Sequence, residues 1–313
     1  MKKRLWFFIQ AAFLGCFVIT MTLTLFRFLG SSNPLVKLNH SRPAYNNFEA
    51  YDPTLNRINS LTKLEKYCDS MYAVVAANGF AGDFDSTYTE IVSTAVRNRF
   101  YHGYSFFTFN NNYLALLASK VAVDGLGVPV LPDDVLKEPN AACSQQAVVM
   151  MQALQDKGIP SRKISFNGPK YGGHFAFEVY YGNSWHFHDP NMEPDKEVLR
   201  EYRRPSIAFL AEHPDVLCAA YRHRPKELVM DIFPTYAYGP VNKFPAPRAA
   251  IFQKTTSFLS STIWLFFLVG FLLARRKYLR LAGAPALHPE ATLYQVKPET
   301  IPVAYPEYAT RAS

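Results

Sequence analysis

The chain is short of cysteine and of charge, and its central part has no large excess of either sign. Four Cys in 313 residues are too few for a scaffold built on disulfides. Asp, Glu, Lys and Arg make up 19% of the residues, whereas 15% are aromatic and 49% hydrophobic. A chain this rich in large apolar side chains buries enough surface to fold, which excludes disorder along its whole length. No internal repeat is visible.

The formal net charge is nevertheless +8. A basic balance points to nucleic acid or a membrane surface until the charges are placed along the chain. Two runs carry no charge at all: 22 residues from Leu5 to Phe26 and 20 from Thr255 to Ala274. Each reaches the roughly 20 residues that a helix needs to cross a bilayer. Lys2, Lys3 and Arg4 precede the first, and Arg275, Arg276 and Lys277 follow the second. Basic flanks stay on the cytoplasmic side, so both clusters predict cytoplasmic ends with the intervening segment outside. Two spans put both termini on one side, and the two signals agree. A cleaved signal peptide is the alternative for the first run. Its apolar stretch exceeds the usual length of about 7–15 residues, and no clear small-x-small site follows. A buried soluble helix is the alternative for either run. Residues 30–254 hold 23 Lys/Arg against 22 Asp/Glu, so the remaining +7 lies at the membrane flanks and in the tail. The charge is a topology signal, and a nucleic-acid partner is not expected.

The expected organisation is a cytoplasmic N-terminus (1–4), a first membrane helix (5–29) and an external spacer (30–59). A globular domain (60–235), a linker (236–254), a second membrane helix (255–274) and a Pro-rich disordered cytoplasmic tail (275–313) follow. Pro34, Pro43 and Pro53 mark the spacer, and Pro234, Pro240, Pro245 and Pro247 mark the return to the membrane. Asn39-His40-Ser41 fits a glycosylation pattern, meaningful in a eukaryotic secretory pathway.

The domain reads as α+β. Leu61–Ala77, Thr87–Tyr101 and Asn112–Val123 are expected helices. Cys143, Ala147, Met150, Met151 and Leu154 recur on one helical face. Asn140 is the expected cap of that helix, and Gly158 and Pro160 end it. Lys163–Phe166, His174–Tyr181 and Trp185–Asp189 are expected strands. Gly182-Asn183 suits a two-residue hairpin turn.

That turn fixes a geometry. With Gly182 and Asn183 as turn residues, Tyr181 faces Ser184 and Asp189 lies opposite Ala176. His174 shares the face of Ala176, so His174 and Asp189 are diagonal neighbours, with Cα atoms about 7–8 Å apart. An imidazole and a carboxylate hydrogen-bond across such a gap, and a slip of one residue would separate them. Cys143 supplies a nucleophile in the first turn of an apolar-faced helix, where the helix dipole favours a thiolate. His174 would serve as base and acid, with Asp189 orienting its ring. Taken singly, the Cys reads as a small core residue and the His–Asp pair as structural.

From Cys143 to Pro190, about 50 residues, the chain resembles the transglutaminase-like superfamily. The resemblance rests on Cys143 at a helix start, Leu154, Gly158-Ile159-Pro160-Ser161-Arg162, His174, Glu178, Trp185 and Asp189-Pro190. It implies a papain-like fold, with the Cys helix packed on an antiparallel sheet bearing His and Asp. It also implies a Cys143-His174-Asp189 catalytic triad needing no cofactor and no metal. Ala176 stands where many members have Trp, which changes the substrate groove. The Cys143 backbone N–H and an upstream aromatic such as Tyr113 are candidate oxyanion donors.

His186 and His188 offer another reading, a metal cluster with His174 and Asp189. Strand parity turns 186 and 188 to the opposite face and opposes it. A Cys68–Cys218 disulfide would leave Cys143 free outside the membrane. The aromatic run Phe100–Phe107 reads as core packing first and as a substrate groove second. Arg203-Arg204 and Arg222-His223-Arg224 read as solvated faces or an acidic partner's site. The expected function is that of a membrane-anchored thiol enzyme acting on amide or peptide bonds of a peptide or protein substrate through a thioester, with hydrolysis favoured over transfer. By the resemblance, the expected setting is a bacterial inner membrane with the domain periplasmic. The rivals are a non-catalytic binding or scaffold module serving envelope or surface-polymer assembly proteins, and a sensor domain on paired spans.

Overall fold

A computed structural model describes residues 2–28, 50–79 and 82–283. The chain runs α1 (Lys2–Phe28), α2 (Leu61–Ala77), α3 (Phe84–Arg99), β1 (Tyr101–His102), α4 (Tyr113–Val121), α5 (Pro132–Val135) and β2 (Asn140–Ala141). It continues with α6 (Cys143–Gln155), β3 (Ser161–Gly168), β4 (Gly172–Tyr181) and β5 (Ser184–His188). Four short helices follow, α7 (Lys196–Glu201), α8 (Ile207–Glu212), α9 (Pro214–Ala220) and α10 (Lys226–Ile232), then β6 (Tyr236–Tyr238) and α11 (Pro247–Ala282). The class is mixed α+β with two long apolar helices. The N-terminal part of the expected spacer, Asn39-His40-Ser41 and most of the expected tail lie outside the described residues.

Two compact units divide the chain. Among the described residues, one comprises 2–18 and 265–283, the other those between 19 and 264. In the first, the described parts of α1 and α11 lie side by side, with Phe13 against Phe266 and Phe267 and Phe7 against Tyr278. Gly270 leaves room for the Phe13 ring. These contacts make the helices antiparallel and put Lys2-Lys3-Arg4 and Arg275-Arg276-Lys277 at the same end. Both helices are long and apolar enough to cross a membrane.

In the second unit a four-stranded antiparallel sheet, ordered β5-β4-β3-β6, lies between two helical layers. Phe177 and Val179 pack with α2, α3 and α6. Ile164, Phe166, Ala176 and Phe187 pack with α7 to α10. Both faces are covered, which is why β4 reads as a nearly continuous apolar run rather than an alternation. The expected turn forms: Gly182 and Asn183 take φ of 55° and 60°, the left-handed pair that joins twisted strands most tightly. Tyr181 pairs with Ser184 and Phe177 with His188, the expected register throughout.

Glu178 is fully buried on this sheet. Its Oε2 accepts from Arg162 Nε at 2.8 Å and Nη2 at 2.6 Å, and its Oε1 accepts the Ile207 N–H at 2.8 Å. The guanidinium lies between the rings of Trp185 and Tyr238, at 4.2 and 3.7 Å. One ion pair thus ties β3, β4, β5, β6 and the start of α8 together.

Several expectations need correction. Asn140 does not cap α6. It sits in β2, which pairs with β1, and its side chain donates to the Tyr104 carbonyl at 2.9 Å. The end of the expected spacer belongs to the core, since Leu55 and Ile58 are buried there. Arg99, itself buried, holds it by donating to the Ile58 carbonyl, Asn56 Oδ1 and the Leu136 carbonyl. β6 lies in the expected linker because it completes the sheet beside β3. α11 begins at Pro247, well before the expected span. Its first turns carry Gln253, Thr256 and Ser260, which meet Val128, Val130 and Asn112 through hydrogen bonds. Cys68 and Cys218 are unbridged, for they belong to opposite sides of the sheet.

Removing one partner of a buried ion pair strands the other. Glu178→Gln is expected to destabilise the chain by about 3 kcal/mol, read from denaturant unfolding in detergent. A loss below about 0.5 kcal/mol, the size of an exposed pair, would contradict the role given to Glu178.

Candidate functional site

The start of α6 is held by side chains rather than by a conventional cap. Ala142 is extended, with φ −76° and ψ 171°, and Cys143 is the first helical residue. Gln145 Oε1 accepts the N–H groups of Ala142 and Ser105, both at 3.1 Å. Its Nε2 donates to Ser105 Oγ at 2.8 Å and the Pro129 carbonyl at 3.0 Å. The first turn of the helix is therefore fastened to the aromatic loop after β1.

His174 lies near the start of β4, and Asp189 directly follows β5. Their side chains meet as the register requires, with Nε2 2.8 Å from Asp189 Oδ2. Asp189 is buried and accepts three more hydrogen bonds: from Tyr221 Oη at 2.8 Å, the Asn191 N–H at 3.2 Å and the Met192 N–H at 3.1 Å. Phe166 stacks on the His174 ring at 5.8 Å, and Phe233 meets it edge-on at 5.7 Å. Both the position and the plane of the imidazole are fixed.

Burial disfavours the imidazolium, but Asp189 beside it and hydrogen bonds to Asp189 and Cys143 outweigh that, pushing His174 up to about 10. Burial likewise disfavours the Asp189 carboxylate. The His174 charge and the bonds from His174, Met192 and Tyr221 hold its pKa below the ordinary value. Cys143 and His174 line the same cleft, and Cys143 is among the groups that raise the His174 pKa. Nε2 is engaged by Asp189, which leaves Nδ1 as the ring nitrogen not bound to the carboxylate.

Cys143 and His174 meet although they belong to different faces of the sheet. α6 packs on the face of Phe177, whereas His174 shares the face of Phe166 and Ala176. They meet at the beginning of β4, where Gly173 leaves the α6-facing position without a side chain. A cleft of about 890 Å³ opens there, lined by Cys143, His174, Gly173 and Tyr104 among others.

The structure thus brings together Cys143, His174 and Asp189. Tyr113 is not at this site; it is buried at the start of α4, near Arg27. Tyr104 is the aromatic beside Cys143, and its pKa is raised by burial and by the thiol. The aromatic run divides: Phe107 is buried and is not among the cleft residues, while Phe100, itself buried, His102 and Tyr104 line the cleft. His186 bonds the Arg204 carbonyl at 2.7 Å and stacks on Tyr181. His188 is wholly buried against Phe177, and burial keeps it neutral. Arg204 is not a solvated face: it pairs with Glu90 at 2.6 Å. Arg222 pairs with Asp195 at 2.6 Å. Among the described residues, no group of three or more His, Cys, Asp or Glu is placed to hold a metal ion.

Sequence reasoning missed Tyr221, Phe166 and Phe233 around the imidazole, and Gln145 behind the thiol. Gln145 adjoins Cys143 and was open to view. Tyr221 is 32 residues from Asp189 and no local pattern marks it. No protein-family model, curated protein or solved structure matches the chain.

Folding raises the His174 pKa and lowers that of Asp189, so their mutual stabilisation has a defined window. It is complete between the ordinary values of 3.8 and 6.5. It declines as pH rises from 6.5 through about 10, and also as pH falls below 3.8. Unfolding of the full chain in detergent should show a loss of stability from pH 7 to 10 that is smaller in His174→Gln. Equal losses in both proteins would contradict the assignment.

Proposed function

We propose that the 50–246 region is a transglutaminase-like thiol enzyme domain, anchored by α1 and α11 and acting on amide or peptide bonds. The observation that carries this reading is the His174 imidazole, fixed by Asp189 at Nε2 and lining one cleft with Cys143, which adds to the rise of its pKa. Cys143 Sγ, having passed its proton to His174 Nδ1, attacks the amide carbonyl carbon. The C–N bond breaks as His174 returns that proton to the leaving nitrogen, and a thioester remains on Cys143. Neutral His174 then takes a proton from water, which attacks the thioester and releases a carboxylic acid, and the thiol is restored. An amine in place of water would give transfer. The cleft of about 890 Å³ leaves room for water beside the thioester, which supports hydrolysis. Asp189 keeps the ring oriented and stabilises its charged form.

The basic clusters at one end of the helix pair support cytoplasmic termini and an external domain. An inner bacterial membrane with the domain on the periplasmic side fits this arrangement.

A free thiol is only a few per cent ionised near neutral pH. An activated Cys143 should therefore react with iodoacetamide about tenfold faster than in the denatured chain at pH 7, measured by peptide mapping. His174→Ala should remove most of the excess and Asp189→Asn a smaller part. Equal rates in native and denatured chains would remove the enzyme reading, and full biological function in Cys143→Ala would favour a non-catalytic binding module.

Topology has its own readout. Protease added to spheroplasts with sealed inner membranes should cut the domain and spare the segment after Arg276. Digestion of that segment from the exterior would reverse the orientation.

A further inference from the structure

A second cavity, of about 610 Å³, opens at the turn of the β4–β5 hairpin, where Tyr181 and Gly182 line it. His174 lies toward the other end of β4, about 23 Å of strand away. The cavity shares no lining residue with the cleft of Cys143.

Arg162, Arg203 and Arg204 stand on its walls, with Asp83 the one acid among the lining residues. Arg204 is engaged, since Nη2 pairs with Glu90 at 2.6 Å and Nη1 donates to the Phe187 carbonyl at 3.3 Å. Arg162 is engaged in part. Glu178 accepts from Nε and Nη2, which leaves three of the five guanidinium N–H groups. Nη1 is not among the buried atoms that lack a partner, and the side chain is 19% exposed, so this end of Arg162 reaches solvent. Arg203 is exposed and, among the described residues, pairs with no acid. Asp83 Oδ2 accepts the Ser86 N–H at 3.2 Å, and Oδ1 is left over.

The backbone holds Arg203 in place at a cost. Arg203 and Arg204 take φ of 53° and 50°, two consecutive left-handed residues that are not Gly. The Arg203 N–H donates to the Arg200 carbonyl at 2.9 Å and the Arg204 N–H to the Leu199 carbonyl at 2.6 Å. Strain kept by surrounding bonds in this way gathers at ligand sites. The Arg162 guanidinium is fixed as well, between the Trp185 and Tyr238 rings. Tyr202 and Tyr238, 44% and 40% exposed, add flat apolar surface to the walls.

These groups define the ligand chemistry. A carboxylate suits the open ends of Arg162 and Arg203. A bare anion would face Asp83, whereas a hydroxyl group donates to it. Exposed tyrosine rings suit a ring with an apolar face. Carboxylate, hydroxyls and an apolar ring face occur together in a sugar acid, and the volume is that of a small-molecule site. We infer that this cavity binds a sugar acid, a hexose ring bearing a carboxylate, through Arg162 and Arg203. The site goes beyond the proposed thiol chemistry and does not depend on it.

The test is calorimetric titration of the full chain in detergent with glucuronate, glucose and inorganic phosphate. Glucuronate should bind about tenfold or more tighter than glucose, the selection given by one charge-assisted hydrogen-bonded contact. Arg203→Asn should weaken glucuronate about tenfold, because Asn accepts the left-handed backbone and removes only the guanidinium. Arg203→Gly, which relieves the backbone, should show the same loss and keeps the test readable if the Asn variant does not fold. Cys143→Ala should leave glucuronate binding unchanged, so failure of the thiol reading does not touch this site. Glucuronate binding no tighter than glucose, or unchanged in both Arg203 variants, would overturn the site. Loss of binding in Cys143→Ala would move the ligand to the other cleft and overturn it too. Phosphate binding as tightly as glucuronate would overturn the sugar acid.

Discussion

The register of β4 against β5 is the constraint from which the rest of the central unit follows. Two residues in the left-handed conformation, Gly182 and Asn183, set it. Once Tyr181 opposes Ser184, every side chain of the two strands is assigned to one helical layer or the other. His174, Glu178 and Asp189 all face α7 to α10, whereas Phe177, Val179 and His188 face α2, α3 and α6. A shift of one residue would turn Asp189 to the other face of the sheet and separate the imidazole from its carboxylate.

Two buried carboxylates on that face are treated differently. Glu178 meets a permanent cation, and its remaining oxygen is filled by a backbone N–H. This charge is locked, and its product is sheet alignment. Asp189 meets an imidazole, whose charge depends on pH, and is backed by a tyrosine hydroxyl and two backbone donors. Those donors stabilise the carboxylate whether or not His174 is charged. The carboxylate therefore stays ionised while the histidine beside it gains or loses its proton.

Legibility in the sequence followed the range of the interaction. The hairpin could be read because Gly182-Asn183 specifies a local backbone shape, and the parity of His174 and Asp189 follows from counting. α2 and the C-terminal end of α6 could be read for the same reason; Gly158 takes φ +77° where the helix stops. Asn140 misled because its amide is taken by the Tyr104 carbonyl across a distant bridge, a tertiary contact that local capping preference cannot anticipate. The membership of Leu55, Ile58 and β6 in the core was likewise hidden. Short polar stretches rich in Pro look like linkers until Arg99 and β3 are seen to hold them. Tyr221 was invisible because only the folded chain brings it to Asp189.

The first turn of α6 concentrates three tasks in four residues. Cys143 offers the thiol at the positive end of the helix. Gln145 spends its whole amide on Ala142, Ser105 and Pro129, so it fixes where that end points. Gln146, on the next position, spends half of its amide on the Ala141 carbonyl, and its oxygen is buried without a partner. Two neighbouring residues of one type thus differ only in their unfilled valence. The same turn therefore aims the thiol through Gln145 and braces the preceding strand through Gln146, so two side-chain amides set the position of Cys143 in folding, before any ligand arrives.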